Sequence, residues 1–254
     1  VVALVAQVAT VPSVLVACTL GIVTAWAISR SRLSLSVAFA LVGCGTLALI
    51  GVDAIQLQSM DSSIANMITQ LVNEYANSIG VASVSAVAQI EALRAMLQLY
   101  WPSAYLVVAL VEFICALLGA CASARREGLR VSMPSLVDYD VPVWLVGALV
   151  ADILGLAAVR VVPQAYTNAV NMVSANLLVA LRIAFAVQGF AIIAWLIRTR
   201  HVGAFAGACT IVAGLVLEDQ FYVMTIVGLV DVWKNFRHLP RGVKTTVQSN
   251  ADQD

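Results

Sequence analysis

Residues 168–197 have the sequence NAVNMVSANLLVALRIAFAVQGFAIIAWLI, an apolar run with a single charged residue, Arg182, near its midpoint. A helix of about 20 apolar residues crosses the hydrocarbon core of a bilayer. A charge at mid-depth costs roughly 2.5–3.5 kcal/mol on insertion scales and rarely faces lipid. The run therefore predicts a transmembrane helix whose arginine needs a partner, a ligand or a water-filled cavity.

Two acidic residues hold the same position in other apolar runs. Glu112 lies near the middle of residues 101–123, and Asp152 near the middle of residues 141–162. Since each run is long enough to cross the core, we expect both carboxyl groups to lie at the depth of Arg182. Three charges at one depth predict an integral membrane protein with a polar interior.

The charged residues share a predicted site with two asparagines. At 100° per residue, Asn168, Asn171 and Arg182 fall on one face of their helix, leading from the outer surface to mid-depth. With Glu112 and Asp152 they outline a pocket open to the outside. One negative charge is left over, which suits a proton or a cationic group of a small-molecule ligand. The alternative is structural: Arg182 pairs with Asp152 or Glu112, and the other carboxyl group is protonated.

Composition supports a membrane protein and argues against several other classes. The chain is 61% hydrophobic and 11% charged, whereas a soluble domain is about 25% charged. A net charge of zero gives no reason to expect nucleic-acid binding. The five cysteines form no C-x-x-C pair, so we expect no metal site. Nucleotide-binding and hydrolase motifs are missing, so we expect no cofactor and no enzymatic activity.

Apolar segments fall at 1–29, 33–56, 101–123, 141–162, 168–197, 202–217 and 220–236. They predict an all-α bundle of about seven spans forming one membrane domain, residues 1–239, with a disordered tail, 240–254. Eleven of the fourteen basic residues lie in alternate connections and the tail: Arg30, Arg32, Arg125, Arg126, Arg130, Arg198, Arg200, Lys234, Arg237, Arg241 and Lys244. Basic connections are cytoplasmic, which puts the C-terminus in the cytoplasm.

Two stretches allow more than one arrangement. Residues 202–236 form either two spans or a re-entrant hairpin, with a solvated turn at Glu218 and Asp219. The first residue is Val within an apolar run, which leaves open a preceding helix in a longer product.

The outer connection, residues 57–100, predicts two amphipathic helices. Apolar residues repeat at helical spacing from Ile64 to Ile79, with Asp61 as N-cap and Gly80 as the stop. A second helix at 82–99 runs towards the third span. The pair either lies on the membrane surface or covers the bundle as a lid.

Small residues at four-residue spacing predict close helix packing, either within the protein or against another membrane subunit. They are Gly21, Ala25, Ala116, Ala120, Ala124, Gly203 and Gly207. Tryptophans at the ends of the spans predict anchoring at the membrane interfaces. They are Trp26, Trp144, Trp195 and Trp233 on the cytoplasmic side, and Trp101 on the outer side. A surface pair of Asp231 with Lys234 adds a further anchor for the last helix.

The stretch from Val141 to Arg241 resembles the C-terminal part of the YybS family of bacterial multispanning membrane proteins. The resemblance rests on four motifs: VPVW at 141–144, NLL at 176–178, QGFAII at 188–193 and GLVDVWKNFR at 228–237. It implies a multi-pass protein of the bacterial inner membrane.

That family is distantly similar to the S components of energy-coupling factor transporters and to the shape-determining protein MreD. The first similarity implies a non-enzymatic component that binds a small nutrient from outside, with a membrane coupling protein and paired ATPases as partners. The second implies a membrane scaffold or assembly subunit. Both similarities imply that the protein lies in a lipid bilayer and associates with other membrane protein subunits.

Overall fold

The computed structural model describes residues 21–25, 34–59, 62–80, 84–128 and 134–240. Its α-helices are α1 (Leu35–Ser59), α2 (Ile64–Ile79), α3 (Val84–Arg126), α4 (Trp144–Ala158), α5 (Gln164–Thr199), α6 (Ala204–Phe221) and α7 (Val223–Lys234). A 3-10 turn, Leu136–Asp138, precedes α4, and residues 21–25 are also helical. These ranges contain no strand, which confirms the all-α fold predicted from the sequence.

Among these helices, α1, α3, α5 and α6 are long and apolar enough to cross a membrane. Helix α4 is apolar but has 15 residues, and α7 has 12. Each of the last six apolar segments predicted from the sequence overlaps one of these helices. Of the first segment, 1–29, only residues 21–25 are described, and Trp26 and residues 241–254 lie outside the described ranges.

Helix α2 has a defined start and stop. The hydroxyl of Ser63 accepts a hydrogen bond from a backbone N–H of the first turn, and Gly80 ends the helix at φ 62°. Gly80 is the predicted stop, whereas Ser63 takes the N-cap role predicted for Asp61, which is outside the described residues. Helix α2 packs against the first half of α3, where Arg94 Nη2 donates to Asn73 Oδ1 (2.7 Å).

Helix α3 is continuous from the outer connection through the third predicted span. The helix predicted at 82–99 and the span at 101–123 join into one helix of 43 residues, with Pro102 inside it. At 1.5 Å per residue its length is about 65 Å, roughly twice the thickness of the hydrocarbon core. The part of α3 that packs against α2 therefore extends beyond the apolar span.

Helix α6 lies antiparallel against α5. Gly207 near its start contacts Ile197, and Gly214 further along contacts Phe190, so residue numbers rise on α6 as they fall on α5. Tyr222 alone separates α6 from α7, in the left-handed conformation at φ 56°. The chain reverses there, and α7 returns along α5.

Helices α5 and α7 are in backbone contact through two glycines. A Cβ on Gly228 would overlap the carbonyl of Phe185, and a Cβ on Gly189 would overlap the backbone of Met224. Helices approach this closely only where neither presents a side chain. The small-residue rows predicted from the sequence do not include this pair.

The buried core lies on the side of α5 that faces α1, α3 and α7. Ala38, Phe113 and Phe185 have no exposed surface, and Val232 of α7 packs into the same cluster. The core thereby fixes α1, α3 and α7 around α5, and α5 carries most of the polar contacts described below.

Replacing Gly228 with alanine should separate α7 from α5. We expect the free energy of unfolding to fall by about 1–3 kcal/mol, the usual cost of overpacking, because the new Cβ overlaps the Phe185 carbonyl. Gly147→Ala in α4 is the matched control, since a Cβ there meets nothing within 4 Å. Thermal unfolding in detergent measures both variants, and equal melting temperatures would contradict the close approach.

Candidate functional site

Arg182 is paired with Glu218 of α6. The Arg182 Nε donates to Glu218 Oε1 (3.0 Å), and Nη2 donates to the Glu218 carbonyl oxygen (3.2 Å). The guanidinium carbon also lies 4.0 Å from the centre of the Tyr222 ring, a cation–π contact. Asp152 or Glu112 is the partner predicted from the sequence. In the described residues neither acid makes an ion pair with Arg182, because α6 brings its own carboxylate to this depth.

Glu218 also closes the α6–α7 hairpin. Its Oε2 accepts a hydrogen bond from the Thr225 N–H (2.9 Å), and its Oε1 accepts one from the Thr225 hydroxyl (2.8 Å). The prediction that Glu218 is a solvated turn residue is wrong, since its side chain is only 13% exposed and the chain reverses at Tyr222. Asp219 is exposed, as predicted, but lies within α6.

Asp152 is the buried charge without an ion pair among the described residues. It lies at the α4–α5 interface with 4% of its surface exposed, and Ser174 of α5 is its hydrogen-bonding neighbour. Its Oδ2 is buried with no hydrogen-bond partner. Gly155, one turn along α4, makes room for the Ser174 hydroxyl, because a Cβ there would lie 2.9 Å from Ser174 Oγ.

Polar side chains on α5 form a row that ends beside Asp152. Asn168 is exposed, Asn171 is half-buried and Ser174 is buried. Residues three apart are about 60° apart around a helix, so Asn171 lies between Asn168 and Ser174, which are about 120° apart around α5. Asp152 lies beside Ser174, at the inner end of this row.

Glu112 is separate from this group. It is exposed on α3 and makes no hydrogen bond or ion pair within the described ranges. Val108 and Val111 beside it are 54% and 53% exposed. Of the five predicted site residues, the structure places Asp152 beside Ser174 of α5, Arg182 with α6 and Glu112 on the side of α3 that faces away from the bundle. Within the described residues, no hydrogen bond or ion pair joins Asn168 or Asn171 to any of these three.

A second polar cluster, not predicted from the sequence, joins α5 to the C-terminal end of α7. Asp231 and the Arg237 side chain have no exposed surface, and Arg237 Nη2 donates to Asp231 Oδ2 (2.8 Å). Gln188 Nε2 donates to the same Oδ2 (3.0 Å), and the Phe236 N–H donates to Oδ1 (2.8 Å). The predicted surface pairing of Asp231 with Lys234 is wrong, because Asp231 faces inward and Lys234 is exposed.

Arg237 ties this cluster to the connection before α4. Its Nη1 donates to the carbonyl oxygens of Val137 and Tyr139, both at 2.7 Å, while the Val141 N–H donates to Gln188 Oε1 (2.8 Å). Burial, with a smaller contribution from the Asp140 carboxylate, raises the pKa of the Tyr139 hydroxyl, which stays neutral. One arginine thus satisfies carbonyls that no helix would otherwise pair.

The Asn176 side chain hydrogen-bonds to backbone groups of α3 on both sides of Pro102. Its Oδ1 accepts from the Ser103 N–H (2.9 Å) and hydroxyl (2.6 Å), and its Nδ2 donates to the Leu99 carbonyl (2.7 Å). Ser103 and Leu99 are the residues whose backbone groups bond to each other in an uninterrupted α-helix. The amide of Asn176 is inserted between them and links α5 to α3.

The small residues and tryptophans predicted to pack or to anchor the protein differ in how buried they are. Gly207 is buried against Ile197, which is internal packing. Half-buried members are Ala116, Ala120 and Ala124, and exposed members are Gly21, Ala25 and Gly203. Of the tryptophans predicted at span ends, Trp144 (70% exposed) begins α4, Trp233 (61%) lies in the last turn of α7, and the half-buried Trp195 lies near the end of α5. Trp101 is half-buried in the interior of α3, because that helix continues through the predicted start of the span.

The family follows from comparison with known proteins. A family model described as "Predicted membrane protein (DUF2232)" matches residues 2–232. The chain belongs to this family. It is therefore a membrane protein, embedded in a lipid bilayer, in agreement with its apolar helices. No curated protein and no solved structure matches the chain. In the described residues no three His, Cys, Asp or Glu side chains form a group able to hold a metal ion.

Replacing Arg237 with glutamine should destabilise the protein strongly. We expect a loss of about 3–5 kcal/mol, because Asp231 would become an uncompensated buried charge. Asp231→Asn combined with Arg237→Gln should cost less than the sum of the single changes. Lys234→Gln, exposed on the same segment, is the control and should change the melting temperature little. Additive single and double effects would contradict the pairing.

Proposed function

We propose that the protein is a non-enzymatic membrane component that binds a small cationic molecule at Asp152 for uptake. The observation that supports this most directly is the buried Asp152 Oδ2, which has no hydrogen-bond partner in the described residues. A buried polar atom without a partner costs several kcal/mol in a membrane protein, and a hydrogen-bond donor on a ligand would remove that cost at Asp152.

The charge of the ligand is inferred from how the intramembrane charges are paired. Arg182 is engaged by Glu218 at 3.0 Å and is not available to Asp152. Ser174 supplies one hydroxyl group, which does not neutralise a carboxylate. An ammonium or similar N–H donor on the ligand would provide both the missing charge and the missing hydrogen bond.

The route of the ligand is inferred from the row of polar side chains on α5. Asn168 is exposed at the start of the helix, and Asn171 lies one turn further in. Amide groups can exchange hydrogen bonds with a polar solute as it loses water. Placing the start of α5 outside follows from the basic connections on the opposite, cytoplasmic side. Uptake, rather than binding alone, rests on the resemblance to S components in a bacterial inner membrane.

A membrane scaffold or assembly subunit is the second candidate. It is favoured by the internal pairing of Arg182 with Glu218, which leaves that charge in a structural role. Purification from native membranes separates the two candidates. A coupling protein and ATPases in the eluate would support uptake, and a large stable assembly without them would support the scaffold.

A binding experiment tests the role of Asp152. Thermal unfolding in lipid nanodiscs is measured with a panel of small amines and their uncharged isosteres. We expect a protonated amine to raise the melting temperature of the wild-type protein. Asp152→Asn should lower the binding affinity for that amine by about ten- to a hundredfold, because one charged hydrogen bond of about 1.5–3 kcal/mol is lost.

Asp219→Asn is the matched control, since Asp219 is an exposed aspartate on α6. It should bind the amine as the wild-type protein does. Stabilisation by the uncharged isostere to the same degree, or unchanged affinity in Asp152→Asn, would contradict the proposed site.

A further inference from the structure

The side of α3 that faces away from the bundle carries a carboxyl group that is not part of the proposed binding site. Glu112 is exposed in the middle of residues 101–123, a run without any other charged residue. Its neighbours on this face are also exposed, and we define the Glu112 face as Val108, Glu112, Cys115, Gly119 and Ser123. A charged or even polar side chain surrounded by acyl chains is costly, so the exposed face needs a cover other than lipid.

The part of the protein that the structure describes does not offer a cation for this carboxyl group. Glu112 makes no ion pair or hydrogen bond in the described ranges. Arg182, the basic residue at the middle of a predicted span, is paired with Glu218. Residues 1–29 contain no Lys, Arg or His, so the N-terminal segment has no cationic side chain to supply. For the same reasons we do not expect a second copy of the chain to supply a cation to Glu112.

The shape of the face suits another helix. At 100° per residue, Glu112, Cys115, Gly119 and Ser123 form one stripe, with the half-buried Ala116 beside it. A Cβ added at Gly119 meets nothing within 4 Å, so the groove above it is open. Small residues at this spacing let a neighbouring helix approach closely in a bilayer.

We propose that the Glu112 face docks a transmembrane helix of a different membrane protein, and that this helix presents a Lys or Arg at mid-depth to Glu112. Charge complementarity selects the partner, since an acid and a base brought together in the bilayer remove each other's need for water. The small stripe determines the close approach. The inference is independent of the ligand proposed for Asp152, which lies on α4.

Photo-crosslinking in membranes of the source organism tests the proposal. A photoreactive amino acid is placed at Cys115 on the Glu112 face and, as a control, at Val212 on the exposed side of α6. Mass spectrometry identifies the peptides joined to each position. We expect Cys115, and not Val212, to crosslink to a transmembrane peptide of another protein with a Lys or Arg near its centre.

Charge variants decide whether Glu112 itself carries the contact. Glu112→Gln should lower the crosslink yield about tenfold, equivalent to about 1.4 kcal/mol of association free energy. Glu112→Lys should abolish the crosslink, and changing the partner's basic residue to Glu should restore it. The melting temperature of purified Glu112→Gln should equal or exceed that of the wild type, because no internal contact is lost.

Four outcomes would overturn the proposal: crosslinks to lipid alone, crosslinks to a second copy of this chain, a partner helix without a basic residue, or a yield that Glu112→Gln leaves unchanged. A loss of melting temperature in Glu112→Gln would likewise show that Glu112 has an internal role. Each result is read from crosslinks and thermal stability, so it does not depend on whether Asp152 binds an amine.

Discussion

The ion pair between Asp231 and Arg237 is the contact on which the C-terminal half of the molecule depends. Both side chains are fully buried, and each has further partners. Removing two charges from water costs several kcal/mol per ion, and their attraction offsets this only when the remaining hydrogen-bonding groups are also satisfied. Here Gln188 and two loop carbonyls satisfy them. The last helix, the central helix and the connection before α4 are therefore fixed together.

The central helix, α5, directs its polar side chains to three different neighbours. Asn176, Arg182 and Gln188 are six residues apart, a rise of about 9 Å and a rotation of about 240° at each step. Successive residues thus point in three directions separated by 120°. Asn176 reaches α3, Arg182 reaches α6 and Gln188 reaches α7. One helix can in this way hold a bundle together without presenting a continuous polar face.

Hydropathy predicts the apolar helices, and the helical spacing of apolar residues predicts the amphipathic ones, because both patterns reflect which faces avoid water. Partners depend on the rotation and register of neighbouring helices, which apolar composition does not encode. The prediction for Arg182 therefore has the wrong acid, since Glu218 reaches it only because the chain reverses at Tyr222. The prediction for Asp231 failed because a carboxylate near a helix end looks the same in sequence whether it faces water or a buried arginine.

A signal for the buried cluster was nevertheless present in the motifs. VPVW, QGFAII and GLVDVWKNFR contribute Val141, Gln188, Asp231 and Arg237, residues that meet in space although they are far apart in the chain. The glutamine and the aspartate interrupt otherwise apolar runs, and an interruption of that kind requires a polar partner somewhere in the fold. Considering the interruptions together would have predicted that they meet, although not in what geometry.

Asp152 and Glu112 both lack an ion pair among the described residues, but they differ in what can reach them. Asp152 is enclosed between α4 and α5, so only something small enough to enter the bundle can complete it. Glu112 faces outward across an open stripe, so a whole helix can reach it. Among the described residues, Arg182 is paired with Glu218 and Asp231 with Arg237, whereas Asp152 and Glu112 have no ion pair. We propose a small cationic ligand for Asp152 and a partner helix with a basic residue for Glu112.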